Sequence, residues 1–238
     1  TTFSNTGTVT LGNGAGDVLA FEAGLIATAP TTRNLAGTIS ALDAAALINL
    51  GGANAINVTA NTTLGGAATG AITLGAAVVL PDAVTLTLGA GAASAVSTQA
   101  ISGTAAGAVS NLTINSTALV TIGGAVGTDI GTVTVTNSGG TSFSGAVTAT
   151  TVTLTNTTGT ITFTGALNAT TLNTAANGYS VTLNGGGAVT NAVTFSNTGS
   201  LTIDPSGFTF TGGAQKTVAG AKSFDGTISS TNAALNFG

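Results

Sequence analysis

The chain has 238 residues, with three Lys+Arg, seven Asp+Glu, 36 Gly and no His, Cys, Met or Trp. Without His or Cys it lacks the usual general base, the thiolate nucleophile and the commonest zinc and copper ligands. Three cations cannot line a path for phosphates, and a formal charge of −4 attracts no anionic surface, so catalysis and nucleic-acid binding are both disfavoured.

Hydrophobic residues make up 43% of the chain, enough for a core and unlike a disordered segment. They are mostly Ala, Val, Leu and Ile between small polar residues, which predicts a thin, regular interior. The lack of cysteine fits an extracellular chain that avoids stray disulfides. The sequence opens at Thr1 without the basic and apolar regions of a signal peptide, so any targeting signal is expected to be removed or to lie outside it.

Residues 2–7 read Thr-Phe-Ser-Asn-Thr-Gly, and residues 194–199 repeat them identically. The first copy runs on into Thr8-Val9-Thr10-Leu11 and the second into Ser200-Leu201-Thr202-Ile203, both alternating as strands do. This match predicts that the amino-terminal segment shares the phase of the later coils. With no capping element before them, Thr2, Phe3, Val9 and Leu11 form the expected assembly edge, which either another subunit or a parent chain longer than this one would cover.

Next comes Gly12-Asn13-Gly14-Ala15-Gly16-Asp17, which approaches the calcium-binding nonapeptide of β-helices but departs from it at Asn13 and Ala15. Asp17 is therefore a candidate calcium ligand, set against the simpler reading of a Gly-rich corner with one exposed Asp. No other cofactor is called for. Residues 40–50 are rich in Ala and Leu. Ser40 and Asp43 have capping-box spacing, and Gly51 suits the position after a helix end. One short helix is expected there, packed over an edge or side.

Looser strands follow at Ile56-Asn57-Val58, Ala71-Ile72-Thr73-Leu74, Val78-Val79-Leu80 and Val84 to Leu88. The apolar window from Ile72 to Val96 is broken by Pro81 and Asp82 and alternates like a strand, whereas a helix crossing lipid needs about 20 predominantly apolar residues. Nine Phe and one Tyr do not supply the aromatic girdles of a membrane barrel. No membrane span is expected.

Between Leu112 and Ile203 a repeat is plain. The triplets Leu112-Thr113-Ile114, Val133-Thr134-Val135, Val152-Thr153-Leu154, Leu172-Asn173-Thr174 and Val193-Thr194-Phe195 follow one another at steps of 21, 19, 20 and 21 residues. A second track (Val120-Thr121-Ile122 to Leu201-Thr202-Ile203) and a third (Ala125-Val126, Ala146-Val147, Ala166-Leu167, Ala188-Val189) keep phase with it. Asn and Gly clusters such as Asn156 to Gly159 and Asn197 to Gly199 supply corners. Short strands, fixed corners and a period of about 20 predict an all-β chain folded as a parallel β-solenoid. One domain is expected over 1–238, with regular coils at 112–210, looser coils and the helix at 12–111, and a carboxyl-terminal edge or tail at 211–238.

Other features have plainer readings. The carboxylates are scattered singly, so a glycosidase pair is not expected. Arg33, Lys216 and Lys222 read as lone solvated charges. Sequons such as Asn111-Leu112-Thr113 arise from composition. Thr-x-Thr runs such as Thr151-Val152-Thr153 resemble those of ice-binding solenoids in spacing, although Thr is also simply favoured on exposed strands.

The coils beginning at Val133, Val152 and Val193, with their Gly-Ala-Val/Leu third track, resemble the β-strand-repeat regions of large bacterial surface proteins. These include autotransporter passengers, filamentous-haemagglutinin-like exoproteins, and solenoid fibre or surface-layer proteins. The resemblance implies an extracellular or cell-surface location and no catalytic residue. The expected function is a structural subunit of a bacterial filament or surface coat, joined head to tail to copies of itself. An adhesin segment binding surface glycans is the alternative, and an ice-binding solenoid comes third.

Overall fold

The computed structural model describes residues 1–204 and 206–238. Among these the regular structure is all strand, with no helix, and every strand pairing is parallel. The chain is a parallel β-solenoid. Each coil contributes three strand segments, which stack on those of the next coil to give three faces.

The first face is a 10-stranded sheet from Leu25–Ile26 to Lys222–Phe224, extended by an isolated bridge from Thr2 to Ile26. The second and third faces merge into a 15-stranded sheet because several strands run through the corner between them. Val147–Thr157 is an example. Its residues 147–149 pair with 167–169, Thr150 is skipped, and residues 151–154 pair with 171–174. Near the carboxyl end the third face continues as a 3-stranded sheet of Val193–Thr194, Ala214–Gln215 and Leu235–Asn236. There the Thr174 hydroxyl donates to the Thr194 carbonyl at 3.1 Å and accepts from the Ser196 amide at 2.8 Å.

Period-two alternation sets what is inside. On the first face Ile122, Phe143, Phe163, Leu183 and Ile203 form one inward column, fully buried or nearly so. The intervening Thr121, Ser142, Thr162, Thr182 and Thr202 point outward. Phe143 and Phe163 stack with centroids 4.9 Å apart and planes 7° from parallel. Burying each such side chain contributes about 1.5–3 kcal/mol. A one-residue slip would turn the whole column out to water, which locks the register.

Corners are set by how closely successive coils approach. Gly124, Gly145, Gly165 and Gly185 lie at the corner between the first and second faces. A Cβ on any of the last three would collide with the backbone of the coil before it. None of these three has a positive φ, so close approach rather than left-handed backbone demands glycine here.

The structure corrects the expected helix at residues 40–50. Ser40 and Ala41 end the strand Thr32–Ala41, residues 42–47 form a corner, and Ile48–Asn49 is a strand of the first face. One turn closes there through the Ala46 amide to the Asp43 carbonyl at 3.0 Å, but Ala45 has φ of 64°, which ends any right-handed helix. Ile48 is paired on both sides, to Leu25 and Ile72. A ready-made parallel edge on each side outweighs the helix propensity of a short Ala/Leu run.

A second correction concerns phase. The two identical hexapeptides lie on different faces. Thr2 bridges Ile26 on the first face, and Thr8–Leu11 then pairs on the second. Thr194 pairs with Gln215 on the third face, and Leu201–Ile203 then pairs on the first. Strand, corner and strand are locally equivalent at either corner, and the Asn does the same work in both. Asn5 Nδ2 donates to the Thr8 carbonyl at 3.2 Å, and Asn197 Nδ2 to the Ser200 carbonyl at 3.3 Å. Which face the unit occupies is set by the rung it pairs with.

Candidate functional site

The residues expected at the assembly edge occupy the first rung. Thr8–Leu11 and Val18–Phe21 pair on one side only, each with Thr32–Ala41, and Thr2 bridges only Ile26. Thr2 is exposed and Phe3 half-buried, whereas Val9 and Leu11 already point into the core at 7% and 2% exposure. The apolar surface left open on this rung comes from Phe3, Leu19 and Phe21, with Val18 75% exposed.

At the opposite end Lys222–Phe224, Ile228–Ser229 and Leu235–Asn236 are likewise paired on one side. Phe224 is 40% exposed and packs against Phe237 with centroids 4.7 Å apart, and Leu235 is 36% exposed. Each end thus presents one strand edge per face over a partly open apolar interior. Unpaired parallel edges are templates for a further strand. These carboxyl-end residues escaped the sequence reading, although continuing the first-face track from Leu201-Thr202-Ile203 by 21 residues lands on Lys222-Ser223-Phe224.

The Asp17 carboxylate is occupied by its own corner. Its Oδ2 accepts from the amides of Asn13 at 2.7 Å and Gly14 at 3.1 Å. The Asp17 carbonyl accepts from Thr38 in the next coil at 2.7 Å. Among the described residues no group of three His, Cys, Asp or Glu side chains is placed to hold a metal ion, and no helix is long and apolar enough to cross a membrane.

Two of the three cations are not solvated, contrary to expectation. Arg33 and Lys216 are both fully buried. Arg33 sits in an inward column between Val9 and Ile56. Its Nη1 and Nη2 donate to the carbonyls of Gly51 and Asn54, while Nε has no partner. Gly52 must be glycine, since a Cβ would fall on the guanidinium. Lys216 Nζ donates to the carbonyl of Asn197 one coil earlier. Burial lowers the pKa of both groups, and repulsion from Lys222 adds to the effect on Lys216. Strand parity carried the signal: Arg33 alternates in step with Leu35, and Lys216 with Ala214.

Charge is also segregated. All seven carboxylates fall outside the strands, in corners and connections. The outer faces are therefore neutral ladders of hydroxyls and amides. Thr85, Asn111, Thr132, Thr151 and Thr171 line one such column on the third face, with Asn191 Nδ2 donating to Thr171 Oγ1 at 2.9 Å. Depressions in the surface lie on these outer faces, lined by residues such as Thr121, Ser142 and Thr162.

The fold defines the class, a parallel β-solenoid whose first face counts, among the described residues, ten strands plus the Thr2 bridge, or eleven rungs. Comparison with protein-family models, with curated proteins and with solved structures finds no match.

Proposed function

We propose that this chain is a structural segment of an extracellular bacterial filament or surface coat, extended head to tail by stacking one solenoid end on another. The observation that carries this reading is the pair of open rungs. Each holds one unpaired edge per face, with partly exposed Phe3, Leu19 and Phe21 at one end and Phe224, Ile228 and Phe237 at the other. Joining the ends satisfies backbone groups and covers apolar surface in one step. A heterologous contact of this kind does not close, so it propagates as a filament. Charge-poor strands leave little repulsion between neighbours. Neutral ladders of hydroxyls and amides on the outer faces support the scaffolding reading.

Sedimentation velocity over a dilution series tests this reading on the wild-type chain and on Phe224→Lys. The variant places a charge on the last rung, a device by which sheet edges resist pairing. Concentration-dependent polymers in the wild type, lost in a folded Phe224→Lys, are expected. A wild type that stays monomeric throughout, yet binds glycan or cell surfaces, would overturn the filament in favour of an adhesin.

A further inference from the structure

The two ends fit each other in one rotational phase, and the structure assigns it. We infer that in a head-to-tail joint the first face of one copy continues the first face of the next, with Thr2 seated over Ser223 and Val9 over Ile228. This inference rests on the filament reading above.

In this phase the columns of register partners continue across the joint. On the first face an unbroken line of register partners runs from Thr2 through Ile26, Asn49, Thr73 and onward to Thr202 and Ser223. On the second face another runs from Val9 through Arg33 and Ile56 to Phe208 and Ile228. A joint in this phase keeps both lines going: outward Thr meets outward Ser, and inward Val meets inward Ile. Phe3 and Phe224, one position further along the first face, then meet as the buried Phe143 and Phe163 do.

A ledge at each end selects the same phase. A chain that climbs one strand spacing per coil, about 4.8 Å, ends on a step of that height rather than a flat plane. At the amino end the step lies between the third-face strand Val18–Phe21 and the first-face Thr2. At the carboxyl end it lies between the third-face Leu235–Asn236 and the first-face Lys222–Phe224. Both steps fall at the same corner. Only first face on first face brings them together, so that each face gains one strand with no gap. Rotation by one face separates the steps and leaves one face a strand short, with its edge donors and acceptors unpaired.

A definite competitor exists. The hexapeptide makes Thr2 the local equivalent of Thr194, whose column continues to Gln215 and Asn236 on the third face. If local sequence chose the phase, Thr2 would sit over Asn236. Disulfide trapping separates the two phases, since the chain has no cysteine of its own and Thr2, Ser223 and Asn236 are all exposed. Neighbouring parallel strands about 4.8 Å apart lie within disulfide reach. Because the two ends lie about ten strand spacings apart, ~50 Å, a bond between these sites must join two copies.

The experiment oxidises the 238-residue chain carrying Thr2→Cys/Ser223→Cys or Thr2→Cys/Asn236→Cys and compares covalent ladders on non-reducing gels, with sedimentation of the wild type alongside. The assigned phase predicts at least about tenfold more multimer from the first pair, a preference equivalent to ~1.4 kcal/mol. A ladder from the second pair instead overturns it. Wild-type polymers with no ladder from either pair also overturn the phase while leaving the filament standing. A monomeric wild type fails the filament reading and the phase with it.

Discussion

Replacing Phe163 with Ala probes the stacked interior. Phe163 is fully buried between Phe143 and Leu183 in the first-face column, with its ring stacked on Phe143 at 4.9 Å. Truncating a buried Phe costs about 3–5 kcal/mol, within which loss of the ring pair accounts for ~0.5–1.5 kcal/mol. The strand Thr160–Phe163 is paired on both sides, to residues 141–143 and to residues 180–183. The coils above and below are therefore pinned and cannot close on the void, which places the cost in the upper half of the range, at about 4–5 kcal/mol. Thr162→Ala on the same strand changes an outward side chain and should stay within about 0.5 kcal/mol. Stacked coils couple mainly to their neighbours, so one global free energy is a poor readout. Urea melts followed by circular dichroism, with hydrogen exchange of amides in residues 160–183, read the effect directly. Equal shifts for Phe163→Ala and Thr162→Ala would refute the assignment of inward and outward columns.

Three further outcomes follow from the corners and buried polar groups. Gly165→Ala should destabilise at least as much as a core truncation and raise exchange at residues 145 and 185, because its Cβ meets the Gly145 backbone; tolerance without a shift in melting would contradict the glycine stack. Tyr179 is fully buried, donates to the Leu154 carbonyl at 2.8 Å, and has its pKa raised by burial from 10.0 to about 12. The unfolded chain loses this proton first, so stability present below pH 10 should fall as pH climbs towards 12. Tyr179→Phe should lack this contribution, so the fall in stability above pH 10 should be steeper in the wild type, and pH melts of the two proteins would show it. Asp17→Ala removes the acceptor for two solvent-accessible corner amides and should cost about 0.5–1.5 kcal/mol. If the carboxylate acts only within its corner, melts of the wild type with calcium or with chelator should coincide.

The sequence carried the coil architecture well where local pattern and pairing agree. From Leu112 to Ile203 the alternation names the buried side of nearly every strand, and the corner clusters fall where the coils turn. It misled where a local rule met a non-local one. Residues 40–50 have the composition and caps of a helix, but parallel neighbours on either side of Ile48 take them as corner and strand. The repeated hexapeptide encodes a strand and a corner without encoding which corner. Arg33 and Lys216 look like surface charges by type, yet parity turns both inward, where backbone carbonyls of Gly51, Asn54 and Asn197 receive them. At the candidate site Thr2 and Phe3 were readable from the alternation. Their counterparts Phe224 and Ile228 needed the register of eleven rungs.

Electron cryomicroscopy of the concentrated wild-type chain measures end-to-end continuation most directly. Head-to-tail stacking predicts unbranched rods one solenoid wide, growing in increments of about 50 Å, with strands stacked along the rod at a repeat of about 4.8 Å. Single particles about 50 Å long at every concentration, or fibrils whose strand repeat runs across their long axis, would contradict it.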